Sequence, residues 1–253
     1  MKLAIFISAG GIPDCARHSI LVALKEPRIS HIKVFGSAAN IEGLKRPKWN
    51  CSCPDDHGAT METEEAKAKI TQVTLDVDEP SALDKITKEL EGYDAVISGL
   101  GNRQPFLGDR VGKHGTRNVV AAMEKQKISR IVMMSSMGLN EDYPCMEWRF
   151  EGKIMDCLFA TLSRRERNDL MGAEKAIRKS SLNYLIVRPV GLGDEVEPEG
   201  KYFVQKKKHE DVLGFNMAKL DAGQFLVDQV LDPTFEKTAV VLGADPARET
   251  AKS

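Results

Sequence analysis

The feature that most constrains this 253-residue chain is a rhythm. Short apolar runs rich in valine and isoleucine alternate with longer amphipathic stretches from the first residues to the last. The runs are Leu3–Ile7, Ile32–Phe35, Val73–Val77, Ala95–Ser98, Ile131–Met134, Tyr184–Val187 and Ala239–Leu242. Several are apolar throughout, as parallel strands covered on both faces must be. Between them lie helical stretches at Asp14–Lys25, Pro80–Leu90, Gly108–Lys127, Arg164–Lys179 and Ala218–Leu231. In the fourth, Leu170, Ala173, Ala176 and Ile177 share one face, while Lys175, Arg178 and Lys179 can face water. Strand–helix alternation sustained over a whole chain means βαβ units, hence a parallel sheet with helices on both sides. Right-handed crossovers then predict a doubly wound α/β fold of the Rossmann kind, with a crevice where the strand order reverses.

The length suits one large α/β domain over residues 1–253, with 195–253 completing the sheet and the substrate side. The net charge of -1 excludes a general basic field, so no nucleic-acid partner is expected. The five cysteines, an odd number in a chain able to build its own core, read as reduced thiols of a cytoplasmic protein. No apolar run approaches the ~20 residues that span a bilayer, and Met1-Lys2 leads straight into a strand, unlike a signal peptide. No membrane partner is expected either. Two stretches break the rhythm. Residues 37–70 read as loop-rich, and 139–163 form a long insertion after the fifth strand holding Tyr143, Trp148, Phe150 and Phe159. The insertion can serve as a lid over a pocket or as an oligomer contact.

After the first strand comes Ser8-Ala9-Gly10-Gly11-Ile12-Pro13-Asp14. A dinucleotide site needs glycine here, so that the chain turns tightly and its N–H groups approach a pyrophosphate at the helix start. Gly10 and Gly11 fit, and Ile12 and Pro13 complete the turn. The usual first glycine is Ser8, however, and the last is Asp14, which makes the motif weak alone. Asp14 is a good helix N-cap, worth ~1 kcal/mol. A carboxylate about 5 Å from a phosphate would also repel it by roughly 3 kcal/mol at an effective dielectric near 20. Arg17, one turn on, can offset this.

The middle of the chain carries a resemblance. Asp94-Ala-Val-Ile-Ser-Gly-Leu-Gly-Asn-Arg103, Gly115-Thr-Arg-Asn-Val-Val-Ala-Ala-Met123, Arg130-Ile-Val-Met-Met-Ser-Ser136 and Glu174 through Pro189 follow in order. This series resembles the atypical short-chain dehydrogenase/reductases, and within them the NmrA-like and biliverdin/flavin reductase B-like proteins. The resemblance implies an NAD(P)-binding oxidoreductase. It places Leu100, Gly101, Asn102 and Arg103 beside the cofactor, with Arg103 near the adenosine phosphate. Asp76 and Val77, ending the third strand, would edge the adenine, and Ser37 would follow the second strand at the ribose. Met134 and Ser135 would adjoin the nicotinamide, with Pro189 and Val190 on its other side. Ser136 falls on the serine that orients substrate.

One departure narrows the chemistry. The Tyr-x-x-x-Lys pair of ordinary short-chain dehydrogenases would fall near Glu166 and Leu170, and neither residue type is present. That pair supplies a proton in carbonyl reduction. Reduction of a flavin or linear tetrapyrrole needs less from the protein, since stacking and solvent protons suffice. A non-catalytic NmrA-like redox sensor or scaffold is the alternative. Gly36-Ser37-Ala38-Ala39 lacks the acid of an NAD site, and Arg103, Lys45 or Arg46 can meet a 2′-phosphate. The reading therefore leans to NADP, with NAD as the alternative. Cys51, Cys53 and His57 supply three ligands at most, too few for structural zinc, so no metal is expected. His18 and His114 read as surface or packing residues, Met133 and Met134 as sheet core, and Arg188 as half of a structural ion pair. Ser135 reads equally as a strand end bonding its own backbone.

Overall fold

The computed structural model describes residues 1–8, 14–46, 49, 57–101, 111–137, 139, 164–193, 196–205, 213–214 and 216–247. The strands are β1 (Lys2–Ile7), β2 (His31–Gly36), β3 (Ile70–Thr74), β4 (Ala95–Gly99), β5 (Arg130–Met134), β6 (Asn183–Pro189), β7 (Leu192–Gly193), β8 (Phe203–Gln205), β9 (Met217–Ala218) and β10 (Thr238–Gly243). The helices are α1 (Asp14–Lys25), α2 (Ala38–Glu42), α3 (His57–Met61), α4 (Glu64–Lys69), α5 (Ala82–Glu89), α6 (Val111–Lys125), α7 (Arg164–Arg178) and α8 (Lys219–Leu231).

Eight strands form one sheet in the order β3-β2-β1-β4-β5-β6-β10-β8. All pair in parallel except β8, which runs antiparallel to β10 at the edge. The chain winds from β1 outward to β3, returns to β4 beside β1, and winds the other way. The predicted doubly wound fold is therefore present, and its switch point lies between β1 and β4.

Period-two alternation sorts side chains into two cores. On β1, Leu3, Ile5 and Ile7 enter one core with Ile20 of α1 and Phe225 of α8. Ala4 and Phe6 enter the other with Ile86 of α5, Val119 of α6 and Ile177 of α7. On β5, Val132 and Met134 take the first and Ile131 and Met133 the second. Phe6 stacks on Phe35 across the β1–β2 pair, ring centroids 4.3 Å apart. Every residue of β1 from Leu3 onward is buried, which is why the run reads as apolar rather than alternating.

Three differences from the sequence reading have physical causes. The third strand is Ile70–Thr74, so Asp76 and Val77 lie beyond its end instead of closing it. Val73, Leu75 and Val77 continue to bury alternately past the last ladder pair, and the apolar pattern therefore outruns the strand. Residues 37–70, read as loop-rich, contain α2, a 3₁₀ turn at Gly43–Lys45, α3 and α4. Caps explain two of these helices. Ser37 Oγ accepts from Asn40 N–H at the start of α2, and Thr63 Oγ1 accepts from Ala66 N–H at the start of α4. In α4, Glu64 and Glu65 precede Lys67 and Lys69, an order that suits the helix dipole. The antiparallel edge strand β8 was too short to declare itself by periodicity.

Candidate functional site

At the switch point a cleft of about 450 Å³ opens between the carboxyl ends of β1 through β4, lined by Ile7, Ser8, Ser37, Asp76, Val77 and Gly101 among others. Four of these six were singled out from sequence as cofactor residues. The fold converges them because Ser37 follows β2, Asp76 and Val77 follow β3 and Gly101 follows β4, and these parallel strands end side by side.

Ser8, standing where a glycine was expected, straps the two sides of the switch point together. Its buried Oγ accepts from Gly101 N–H at 3.1 Å and shares its proton between the Gly99 and Gly101 carbonyls, at 2.9 and 2.6 Å. A glycine could not make this bridge. The Asp76–Glu79 wall is held from α6, whose Asn118 Nδ2 donates to the Val77 and Glu79 carbonyls at 2.9 and 3.0 Å. Gly115, a turn earlier, lets α6 approach. A Cβ there would lie 2.7 Å from Val77 Cγ2 and 3.2 Å from Leu100 Cδ1. Leu100 itself is buried in the core under α6.

A second cluster sits at the ends of β5 and β6. Ser135 N–H donates to the Val187 carbonyl at 2.7 Å, and its Oγ donates to Glu174 Oε1 of α7 at 2.6 Å. Arg188 grips the same carboxylate with two bonds, Nε to Oε1 at 3.0 Å and an amino group to Oε2 at 2.6 Å. Both charges are about 1% exposed, so their desolvation is offset by this two-point geometry. Arg188 is thus half of a structural ion pair, and Ser135 is tied to α7 rather than to its own backbone alone. Ser136 is buried, and its Oγ donates to the Met137 carbonyl at 3.2 Å. Met134 ends β5 in the core. Pro189 ends β6, and Val190 N–H donates to the Leu242 carbonyl at 2.8 Å.

Sequence reading missed Asp169. Its carboxylate, buried on α7, accepts from Gly112 and Lys113 N–H at 2.8 Å each and so caps the start of α6. Burial raises this carboxyl above its ordinary value, while the two N–H groups pull the other way. Glu166, one turn earlier, is raised by burial and then by Asp169. Nothing local marks Asp169, because its partners are 56 and 57 residues away.

Gly10, Gly11, Ile12, Pro13, Asn102, Arg103, Cys51, Cys53 and most of 139–163 lie outside the described residues, as does the side chain of Asp14, which opens α1. His57 is a packing residue, its Nδ1 accepting from Trp49 N–H at 3.3 Å with the His18 ring 5.8 Å away. Among the described residues no cluster of three metal-ligating side chains occurs, and no helix is long and apolar enough to cross a membrane.

The donor set suits the adenosine half of a dinucleotide. Asp76 and Asp78 present acceptors to ribose hydroxyls or an exocyclic amine, and Val77 presents an apolar edge. Among its described residues the cleft carries the carboxylates of Asp76, Asp78 and Glu79 and no cation. Lys45 pairs instead with Glu42 at 2.8 Å on the surface.

A doubly wound sheet with such a cleft at its switch point defines an NAD(P)-binding fold of the oxidoreductase type. The chain belongs to the NAD(P)H-binding family, whose model matches residues 57–233. Among curated relatives it is 30% identical over 166 residues to an uncharacterized chloroplastic protein of Arabidopsis thaliana, covering 62% of this chain and 55% of that one. It is 26% identical over 114 residues to the chloroplastic protein TIC 62 of the same plant, covering 43% of this chain and 16% of that one. The chain thus spans about half the length of one of these relatives and far less of the other. Among solved structures it is similar to a wide-type short-chain dehydrogenase/reductase of Veillonella parvula in complex with NADP, with TM-score 0.67, 17% identity and 97% and 94% of the two chains covered. It is also similar to ChuY, an anaerobilin reductase of Escherichia coli O157:H7, with TM-score 0.65, 19% identity and 97% and 98% covered. At these identities the structures share the fold, and the kinship with short-chain dehydrogenase/reductases stands at the level of the fold.

Proposed function

We propose that this chain is an NADPH-dependent reductase of flavin-like or other planar conjugated small molecules, such as a linear tetrapyrrole. The observation that carries the reading is the switch-point cleft with Ser37, Asp76, Val77 and Gly101 on its walls. In this reading Asp76, Asp78 and Val77 hold the adenosine, and Gly10 through Asp14 hold the pyrophosphate. When bound, the nicotinamide supplies a hydride. The ends of β5 and β6 then form the platform against which the acceptor stacks, with Ser136 orienting it and the 139–163 segment shaping the pocket. Glu166 and Leu170 replace the tyrosine and lysine of ketone reducers, so the acceptor takes its proton from solvent. The choice of NADPH rests on Arg103 as counter-charge to the 2′-phosphate, since the three cleft carboxylates oppose one. Cytoplasmic residence is part of the proposal, although both plant relatives are chloroplastic.

A second reading, a dinucleotide-binding sensor without turnover, draws on a specific observation. Ser135 and Ser136 both spend their hydroxyl protons inside the protein, on Glu174 and Met137. The experiment that separates the two is loss of the reduced-nicotinamide absorbance on adding FMN or biliverdin to the protein with NADPH, and then with NADH. Acceptor-dependent oxidation, faster with NADPH, supports the reductase. Cofactor binding with no oxidation across the acceptor panel replaces it with the sensor.

A further inference from the structure

Away from the cleft, a groove of about 470 Å³ runs between α6 and α7 on the outer surface. Its walls carry Lys113 and Arg117 from α6, Lys175 from α7 and Lys179 just past the end of α7, each pair four residues apart. The two helices lie side by side and run the same way, because each crosses between parallel strands. Contacts at both ends fix the register, with Asp169 on Gly112 at one end and Glu124 accepting from Ser181 at the other. That register sets Lys175 level with Arg117, with Lys113 about one turn before them and Lys179 about one turn beyond, along a trough roughly 13 Å long.

Two facts set this trough apart from an ordinary solvated helix face. Among the described residues none of the four cations has an ion-pair partner, although like charges four apart on a helix oppose each other. The single acid on the rim, Glu124, is already engaged by the Ser181 N–H and hydroxyl at 3.2 and 3.0 Å. The second fact is the floor. It is made of Val120, Ala121, Gly172 and Ala176, and a Cβ on Gly172 would lie 2.7 Å from Lys113 Cδ. A mid-helix glycine, costing about 1 kcal/mol against alanine, is thus what lets the lysine stem lie flat across the neighbouring helix.

We infer that this groove docks an acidic segment of a partner protein, laid lengthwise as a helix with carboxylates at three- and four-residue spacing. Cations stepped at about one helical turn along the trough match that spacing, and Ala121 and Ala176 on the floor allow close approach of a backbone. A point anion would meet Arg117 and Lys175 and leave Lys113 and Lys179 unmatched. A second copy of this chain would set cations against cations across a two-fold axis. Nucleic acid needs a longer basic track than four charges on a chain of net charge -1.

The test is fluorescence anisotropy of a labelled, glutamate-rich helical peptide titrated with the full chain, beside Lys175→Glu/Lys179→Glu. Tripolyphosphate and phosphatidylglycerol vesicles serve as the competing anions. The expected result is salt-sensitive peptide binding that weakens at least about tenfold in the double variant, with neither competitor displacing the peptide at equal charge concentration. Equal binding by a double variant that melts like the wild type overturns the inference. Vesicle or tripolyphosphate binding without peptide binding overturns it too. If the reversal variant does not fold, Lys175→Gln/Lys179→Gln carries the same comparison.

Discussion

At the scale of single residues, the account turns on charges removed from water. Glu174 and Arg188 are both buried, and each is the other's two-point partner. Glu174→Gln keeps the shape and removes the negative charge that faces the buried guanidinium at two points. The expected cost is about 3–5 kcal/mol, read as a lower urea midpoint with an unchanged slope; an unchanged midpoint would show that the pair is not holding β6 to α7. Glu166 gives a pH prediction. Its carboxyl is raised above the ordinary value, so the native state favours the protonated form. The stability associated with that proton is present below the ordinary value of 4.5 and is lost as pH rises through the raised one. Wild type should therefore lose stability relative to Glu166→Gln as pH rises above 4.5, seen in paired thermal melts. Parallel melting profiles would contradict it. Asp14 supplies the third case. If its charge opposes the pyrophosphate, Asp14→Gly tightens dinucleotide binding by up to about a hundredfold, the equivalent of roughly 3 kcal/mol, whereas weaker binding would identify it as a cap the site needs.

At the scale of elements, legibility follows locality. The seven long strands and the five long helices could be read from sequence because their apolar periods are written in consecutive residues. The short helices at 38–42, 57–61 and 64–69 were missed, although Ser37 and Thr63 stood as caps in plain view. Their apolar content is too small for a period to show. The site divides the same way. Ser37, Asp76, Val77 and Gly101, which line the cleft, could be singled out because each follows a recognisable strand. Asp169, Asn118 and the bridging role of Ser8 were not, because each acts on a partner far along the chain. Gly115 makes this testable as packing. Gly115→Val places new carbons against Val77 and Leu100, a clash worth about 1–3 kcal/mol. It should weaken dinucleotide binding more than it lowers the melting temperature of the apoprotein would explain. Wild-type affinity in this variant would mean that α6 does not set the cleft wall.

At the scale of the molecule, winding order does the work. Two halves wound in opposite directions from β1 and β4 leave one place where neighbouring loops diverge, and the cleft is there. The same winding lays α6 and α7 side by side on one face, so the cleft and the cationic trough are separate consequences of one topology. The central claim is that the cleft takes a reduced dinucleotide. Its most direct measurement is a titration of the full chain with NADPH and NADH, followed by nicotinamide fluorescence. The account predicts saturable binding of at least one of them below about millimolar concentration. Flat fluorescence for both up to that concentration would contradict it.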